Sequence, residues 1–122
     1  MQIQDRYNTY ETVIIVGAEN HSQEQSDEIL NNFKKLLTDN ASKIIHVDKW
    51  GLKKLAYKIK NNVEGYYYIL EYQSPRKNIP MYETELKRNE SIIRFLTISL
   101  DKYAIKYNET KRLNKETATS SN

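Results

Sequence analysis

The chain has 122 residues, 39% of them hydrophobic and 29% charged, with no cysteine, so one small core is expected and disulfide frameworks, thiolate metal sites and cysteine nucleophiles are excluded. Nineteen Lys and Arg against sixteen Asp and Glu leave a net charge of only +3, far from a polycation that holds nucleic acid by bulk charge. The longest aliphatic run, Val13 to Val16, falls well below the roughly 20 residues that cross a bilayer, and the polar N-terminus lacks the form of a signal peptide. A soluble, intracellular protein with no membrane partner is expected.

Residues 1–9 are polar and aperiodic and read as an N-terminal extension. The β-branched run from Tyr10 to Val16 predicts a first strand. After a loop at Gly17 to His21, Ser22 and Gln25 have the spacing of a capping box that opens a helix. Ile29, Leu30, Phe33, Leu36 and Leu37 then form one apolar stripe, and Asn40 to Ser42 supplies the stop. A long second strand covers Lys43 to Ile59, with an irregularity expected at Gly51. Asn61, Asn62 and Gly65 are turn chemistry, so the aromatic strand Tyr66 to Tyr72 pairs with it as a hairpin. Ile79 to Asn89 predicts a second helix with Pro80 in its first turn, and Ile92 to Leu100 a last strand. In that strand Ile92, Leu96, Ile98 and Leu100 compete with Ile93, Phe95 and Thr97 for the inner face. Residues 101–122 form a polar, mildly basic tail, expected to be mobile in isolation. The order β-α-β-β-α-β over residues 10–100 predicts an α+β, ferredoxin-like domain, a four-stranded antiparallel sheet with both helices on one face.

Charge is segregated along this order. Lys43, Lys49, Lys53, Lys54, Lys58 and Lys60 face one acid, Asp48, a net of +5 between positions 43 and 60, whereas Ser22 to Asn40 carries four acids against two lysines, a net of −2. The catalytic inventory is thin. His21 and His46 lack a second ligand at metal spacing, three scattered glycines build no phosphate cradle, and Asp27, Glu28, Glu83 and Glu85 read as solvated helix charges. No active site, metal, cofactor or small-molecule substrate is expected. What remains is surface. In the Tyr66-Tyr67-Tyr68 run, Tyr67 and Ile69 share one face of the strand while Tyr68, Leu70 and Tyr72 share the other, so one set packs on the helices and an aromatic of the other is available to stack on a base or a protein. The second strand lies at a sheet edge, where lysines either block stray pairing or serve a partner.

The segment Trp50-Gly51-Leu52-Lys53-Lys54-Leu55-Ala56-Tyr57-Lys58-Ile59 resembles the signature of the bacterial-type small-subunit ribosomal protein S-six family. Tyr10-Glu11, Gly65-Tyr66, Arg88-Asn89 and Ile92-Ile93-Arg94 extend the resemblance over about Tyr10 to Leu100. Lysines at 53 and 54 stand where the family often has arginine, which replaces bidentate forks by point charges, and Lys58 stands where proline is frequent. The resemblance implies a non-catalytic rRNA-binding protein of a cytoplasmic or organellar ribosome, joining the central domain of small-subunit rRNA together with ribosomal protein S-eighteen. It implies a protein-partner edge at Asp48, Lys49, Trp50, Lys53 and Lys54, and RNA contacts at Arg6, Tyr10, Lys87, Arg88, Arg94 and Lys102, mostly to phosphates.

Two rivals share the topology. A stand-alone RNA-recognition-motif binder would use Tyr67 with an aromatic on the first strand, but Thr12, Val13, Ile14 and Ile15 cannot stack. An acylphosphatase-like enzyme needs an arginine in the loop after the first strand, and Gly17 to His21 has none.

Overall fold

The computed structural model describes residues 6–120, and the side-chain surroundings of residues 6–114. The elements are β1 (Tyr7–Gly17), α1 (Gln23–Asp39), β2 (Lys43–Ile59), β3 (Asn62–Pro75), a single 3-10 turn (Arg76–Asn78), α2 (Ile79–Arg88), β4 (Ile92–Leu100) and α3 (Lys102–Ser120). Neighbouring strands are antiparallel in the order β2-β3-β1-β4, so β2 and β4 are the edges, as the ferredoxin-like reading requires.

Strand alternation decides what is buried. Tyr10, Ile14 and Val16 of β1 and Tyr66, Tyr68, Leu70 and Tyr72 of β3 point to one face and pack against Leu30, Phe33 and Leu37 of α1 and Tyr82 and Leu86 of α2. Each fully buried aliphatic side chain of this kind contributes about 1.5–3 kcal/mol. The rings of Phe33, Tyr72 and Tyr82 meet edge to face, with centroids 6.2–6.4 Å apart, the geometry their quadrupoles favour. Burying tyrosines requires partners for their hydroxyls. Tyr68 Oη meets Ser26 Oγ at 2.6 Å and donates to Asp27 Oδ1 at 2.8 Å; Tyr72 Oη meets Thr12 Oγ1 at 2.8 Å, and Tyr82 meets Ser42.

Local chemistry sets the boundaries. Ser22 Oγ accepts from the Gln25 amide at 3.2 Å while Gln25 Oε1 accepts from the Ser22 amide at 2.9 Å, the reciprocal capping box at the start of α1. Between β2 and β3, Lys60 and Asn61 both adopt positive φ (46° and 67°), the primed turn that suits the twist of a tight hairpin. Asn62 holds it: its Nδ2 donates to the Ile59 and Lys60 carbonyls and its Oδ1 accepts from the Glu19 amide at 2.8 Å, tying the turn to the β1–α1 loop. Gly51 has φ 79°, and β2 breaks register against β3 at Ile45, at Trp50 and between Lys54 and Ile59. In β4 a bulge opposite Ile15 and Val16 resolves the competition of faces. Ile92 and Phe95 turn toward the helices, and Ile93 turns to the opposite face, in a small cluster with Ile15 and Leu55. Leu96 and Ile98 are exposed.

Both ends differ from the sequence reading. Tyr7 to Thr9 belong to β1, paired with Pro75, Ser74 and Gln73; polar side chains concealed a strand whose stability there comes from backbone bonds. Residues 1–5 of the expected extension and 121–122 of the tail lie outside the described residues. The tail is not uniformly irregular. Lys102 to Ser120 form α3, capped where Asp101 Oδ1 accepts from the Ala104 amide at 2.8 Å. It docks on the sheet face opposite α1 and α2, through Asn108 and Arg112, whose side chains donate to Glu71 Oε1 at 3.0 and 3.3 Å. Glu71 is only 3% exposed. A carboxylate so buried needs such donors, a demand invisible when Glu71 is read as one polar residue of an alternating strand.

Two predictions follow from this packing. A Cβ on Gly65 would stand 2.5 Å from Ile15 Cγ2, so Gly65→Ala is expected to lower the urea-denaturation free energy by about 1–3 kcal/mol through overpacking. Burial pushes the Tyr68 and Tyr72 phenols up to about 12, aided in Tyr68 by its bond to the Asp27 carboxylate. Unfolded phenols ionise near about pH 10, so stability is full below that pH and falls as pH rises toward about 12, because the unfolded chain releases protons that the native state keeps. Urea midpoints measured across this window should fall, and less steeply for Tyr72→Phe; an unchanged slope contradicts the assignment.

Candidate protein and nucleic-acid interface

The β2 edge gathers the residues expected to meet a protein. Asp48 lies opposite Ile69, and its Oδ1 is 3.1 Å from His46 Nε2. Lys49, opposite Tyr68, turns toward α1 and places Nζ 3.6 Å from Asp27 Oδ2. Burial would raise the Asp27 carboxyl, but hydrogen bonds from Tyr68 and Gln23 and the charge of Lys49 outweigh it and hold the group below its usual value. Trp50 is the extra residue of a bulge, 53% exposed, and stacks on Tyr67 with centroids 6.3 Å apart and planes 13° from parallel. Lys53 and Lys54 are exposed opposite Gly65 and Glu64. Ile45, Leu52 and Tyr57 are exposed large apolar side chains on the same strand. Sequence reading expected an irregularity at Gly51 but not the further register breaks at Ile45 and after Lys54, so it did not assign these three to the exposed edge. The edge is therefore both basic and apolar.

The residues expected to meet RNA divide between the two ends of the sheet. Arg6, exposed at the mouth of β1, accepts from the Arg76 amide at 3.3 Å, and Lys102 opens α3 with its ammonium 5.1 Å from the Tyr103 ring centroid. Lys87 and Arg88 are exposed at the end of α2, with Arg88 Nη1 3.2 Å from Glu85 Oε1. Arg94 donates to Tyr57 Oη at 2.9 Å, bringing the hairpin tip over the open face. Since β4 runs nine residues, these two groups stand roughly 25–30 Å apart along it. Tyr10 is a correction: at 6% exposure its ring lies in the core against Tyr72, 6.1 Å between centroids, because strand alternation sends it to the helix face. Lys60, at the hairpin turn, reaches the Arg88–Arg94 end beside a cleft lined also by Asn20, His21, Asn62 and Ser91. His21 serves as a strut in its wall, with Nδ1 3.0 Å from the Gly17 carbonyl and Nε2 2.8 Å from Ser91 Oγ.

Tyr67 is half-buried under Trp50 and beside the cluster of Ile15, Leu55 and Ile93, so it is not the free platform that an RNA-recognition motif offers. Among the described residues no three His, Asp or Glu side chains gather as metal ligands, and no helix is long and apolar enough to cross a membrane.

Known proteins with the same pattern are ribosomal. The family model of ribosomal protein S6, the S-six family of the resemblance, matches residues 9–99. The small ribosomal subunit protein bS6 of Flavobacterium psychrophilum is 40% identical over 105 residues, covering 86% of this chain and 92% of that protein. That of Christiangramia forsetii is 38% identical over 112 residues, 91% and 99% of the two chains. The crystal structure of 30S ribosomal protein S6 from Thermotoga maritima superposes with a TM-score of 0.75 at 26% identity, covering 88% of this chain and 99% of that one. On the strength of the fold and of this match over most of its length, the chain belongs to the ribosomal protein S6 family, structural components of the ribosome rather than enzymes.

Proposed function

We propose that this protein is a structural constituent of the small ribosomal subunit in the cytoplasm, and that it joins the central domain of small-subunit rRNA as a pair with ribosomal protein S-eighteen. The observation that carries this is the outer edge of β2, which no other strand of the sheet pairs, with Lys53 and Lys54 on it and Trp50 stacked on Tyr67 of β3. Aromatic anchors with a charged rim suit a protein neighbour. Arg6, Lys87, Arg88, Arg94 and Lys102 are dispersed point contacts suited to the phosphates of a folded RNA. Neither set makes a large surface alone, so the pair is the binding unit.

Binding of a central-domain rRNA fragment, measured with and without the S-eighteen-type protein, tests this directly: weak binding alone and tight binding for the pair are expected. Tight solitary binding to short single strands would instead establish a stand-alone RNA binder. A second expectation concerns the edge. Lys53→Glu combined with Lys54→Glu should abolish association with the partner in titration calorimetry while changing unfolding free energy by less than about 1 kcal/mol, as exposed charges do. A matching loss of stability would mean that these lysines are packed rather than presented.

A further inference from the structure

The helix α3 lies beyond the 9–99 segment that the family model matches, and its composition asks for a purpose. Its partly buried residues Ala104, Ile105, Asn108 and Arg112 fall on one stripe, i, i+1, i+4 and i+8. That stripe offers little apolar area, so Asn108 and Arg112 on the buried Glu71 carboxylate fix how the helix is turned. The rotation leaves a defined outer surface. Tyr103 and Tyr107, one turn apart, are 73% and 65% exposed, and Lys102, Lys106 and Lys111 are exposed around them, with Glu109 the single acid on their flank up to Asn114.

We propose that this outer face of α3 is an additional rRNA-contact surface, in which Tyr103 and Tyr107 stack on unpaired bases and Lys106 and Lys111 meet the adjoining phosphates. Tyrosines on a solvated helix face have no folding role that would explain both positions, and lysines interleaved with them complement a polyanion carrying flat bases. A protein surface of acidic character would satisfy the lysines, but gains nothing specific from two exposed rings one helical turn apart and flanked by cations. Docking through Glu71 pre-orients the face, so the ordering cost of a disordered basic tail is avoided. The proposal rests on the rRNA-binding reading above and adds a site to it.

The test uses the full chain with the S-eighteen-type protein on small-subunit rRNA, comparing the wild type with Lys106→Glu/Lys111→Glu and with Tyr103→Ala/Tyr107→Ala over a range of salt. Losing two phosphate contacts should weaken binding about tenfold and flatten the slope of log affinity against log salt by about 1.5. Losing two stacking rings should weaken binding at least about fivefold with the salt slope nearly unchanged. Both variants replace exposed side chains, and circular dichroism is expected to show α3 retained. If the wild-type pair binds and both variants match it in affinity and slope, this inference is overturned while the reading of the whole protein stands. A loss of affinity for the partner protein with rRNA binding intact would likewise overturn it. If the wild-type pair fails to bind rRNA, that broader reading falls, and this one with it.

Discussion

The inner row of β3, Tyr66, Tyr68, Leu70 and Tyr72, is the constraint on which the rest of the molecule depends. β3 lies between β2 and β1, and this row forms the floor on which α1 and α2 pack. Tyrosine is an unusual filler for such a floor, because each ring brings a hydroxyl that costs about 1–3 kcal/mol if left without a partner. Ser26 and Asp27 on α1 and Thr12 on β1 supply those partners. The core is thereby directional: α1 cannot slide along the sheet without breaking hydrogen bonds that an aliphatic core would never have required. The same alternation sends Tyr67, Ile69 and Glu71 to the opposite face, so the arrangement of the open surface is a by-product of how the closed one is filled.

That open surface is partly closed in turn. The hairpin tip bends over one end, where Leu55 meets Ile15 and Ile93 and Tyr57 meets Arg94, and α3 covers the other through Glu71. An RNA-recognition motif leaves its sheet bare because the sheet is its binding site. Here the exposed basic side chains lie instead at the β2 edge and on the chain segments around the ends of β4.

Much of this was legible in the sequence where one residue pattern had one physical outcome. Ser22 and Gln25 announced the start of α1, Gly51 announced an irregular strand, and the segment from Trp50 to Ile59 carried the family. The position of β2 at an edge followed from topology alone. Legibility failed where the outcome depended on distant partners. Glu71 reads as a solvated carboxylate until α3 is placed over it, and α3 reads as a tail because Ala104 and Ile105 are too few to mark an apolar stripe. Tyr10 lies beside polar residues in sequence yet belongs to the core. The face preference of β4 was undecidable because the bulge at Ile93 serves both faces. The candidate site was legible as a set of residue types, but its division between two ends of the sheet appears only when β4 is given its length.

The interruptions of β2 restrict how the strand can be used. Between the breaks at Ile45, at Trp50 and after Lys54, the longest stretches in continuous register are His46 to Lys49 and Gly51 to Lys54, four residues each. A second copy of the chain therefore cannot zip along the whole rim by backbone pairing, the route by which bare strands seed fibrils. Only short steps of its backbone are regular enough to be matched by another strand, which lets the rim stay open without polymerising.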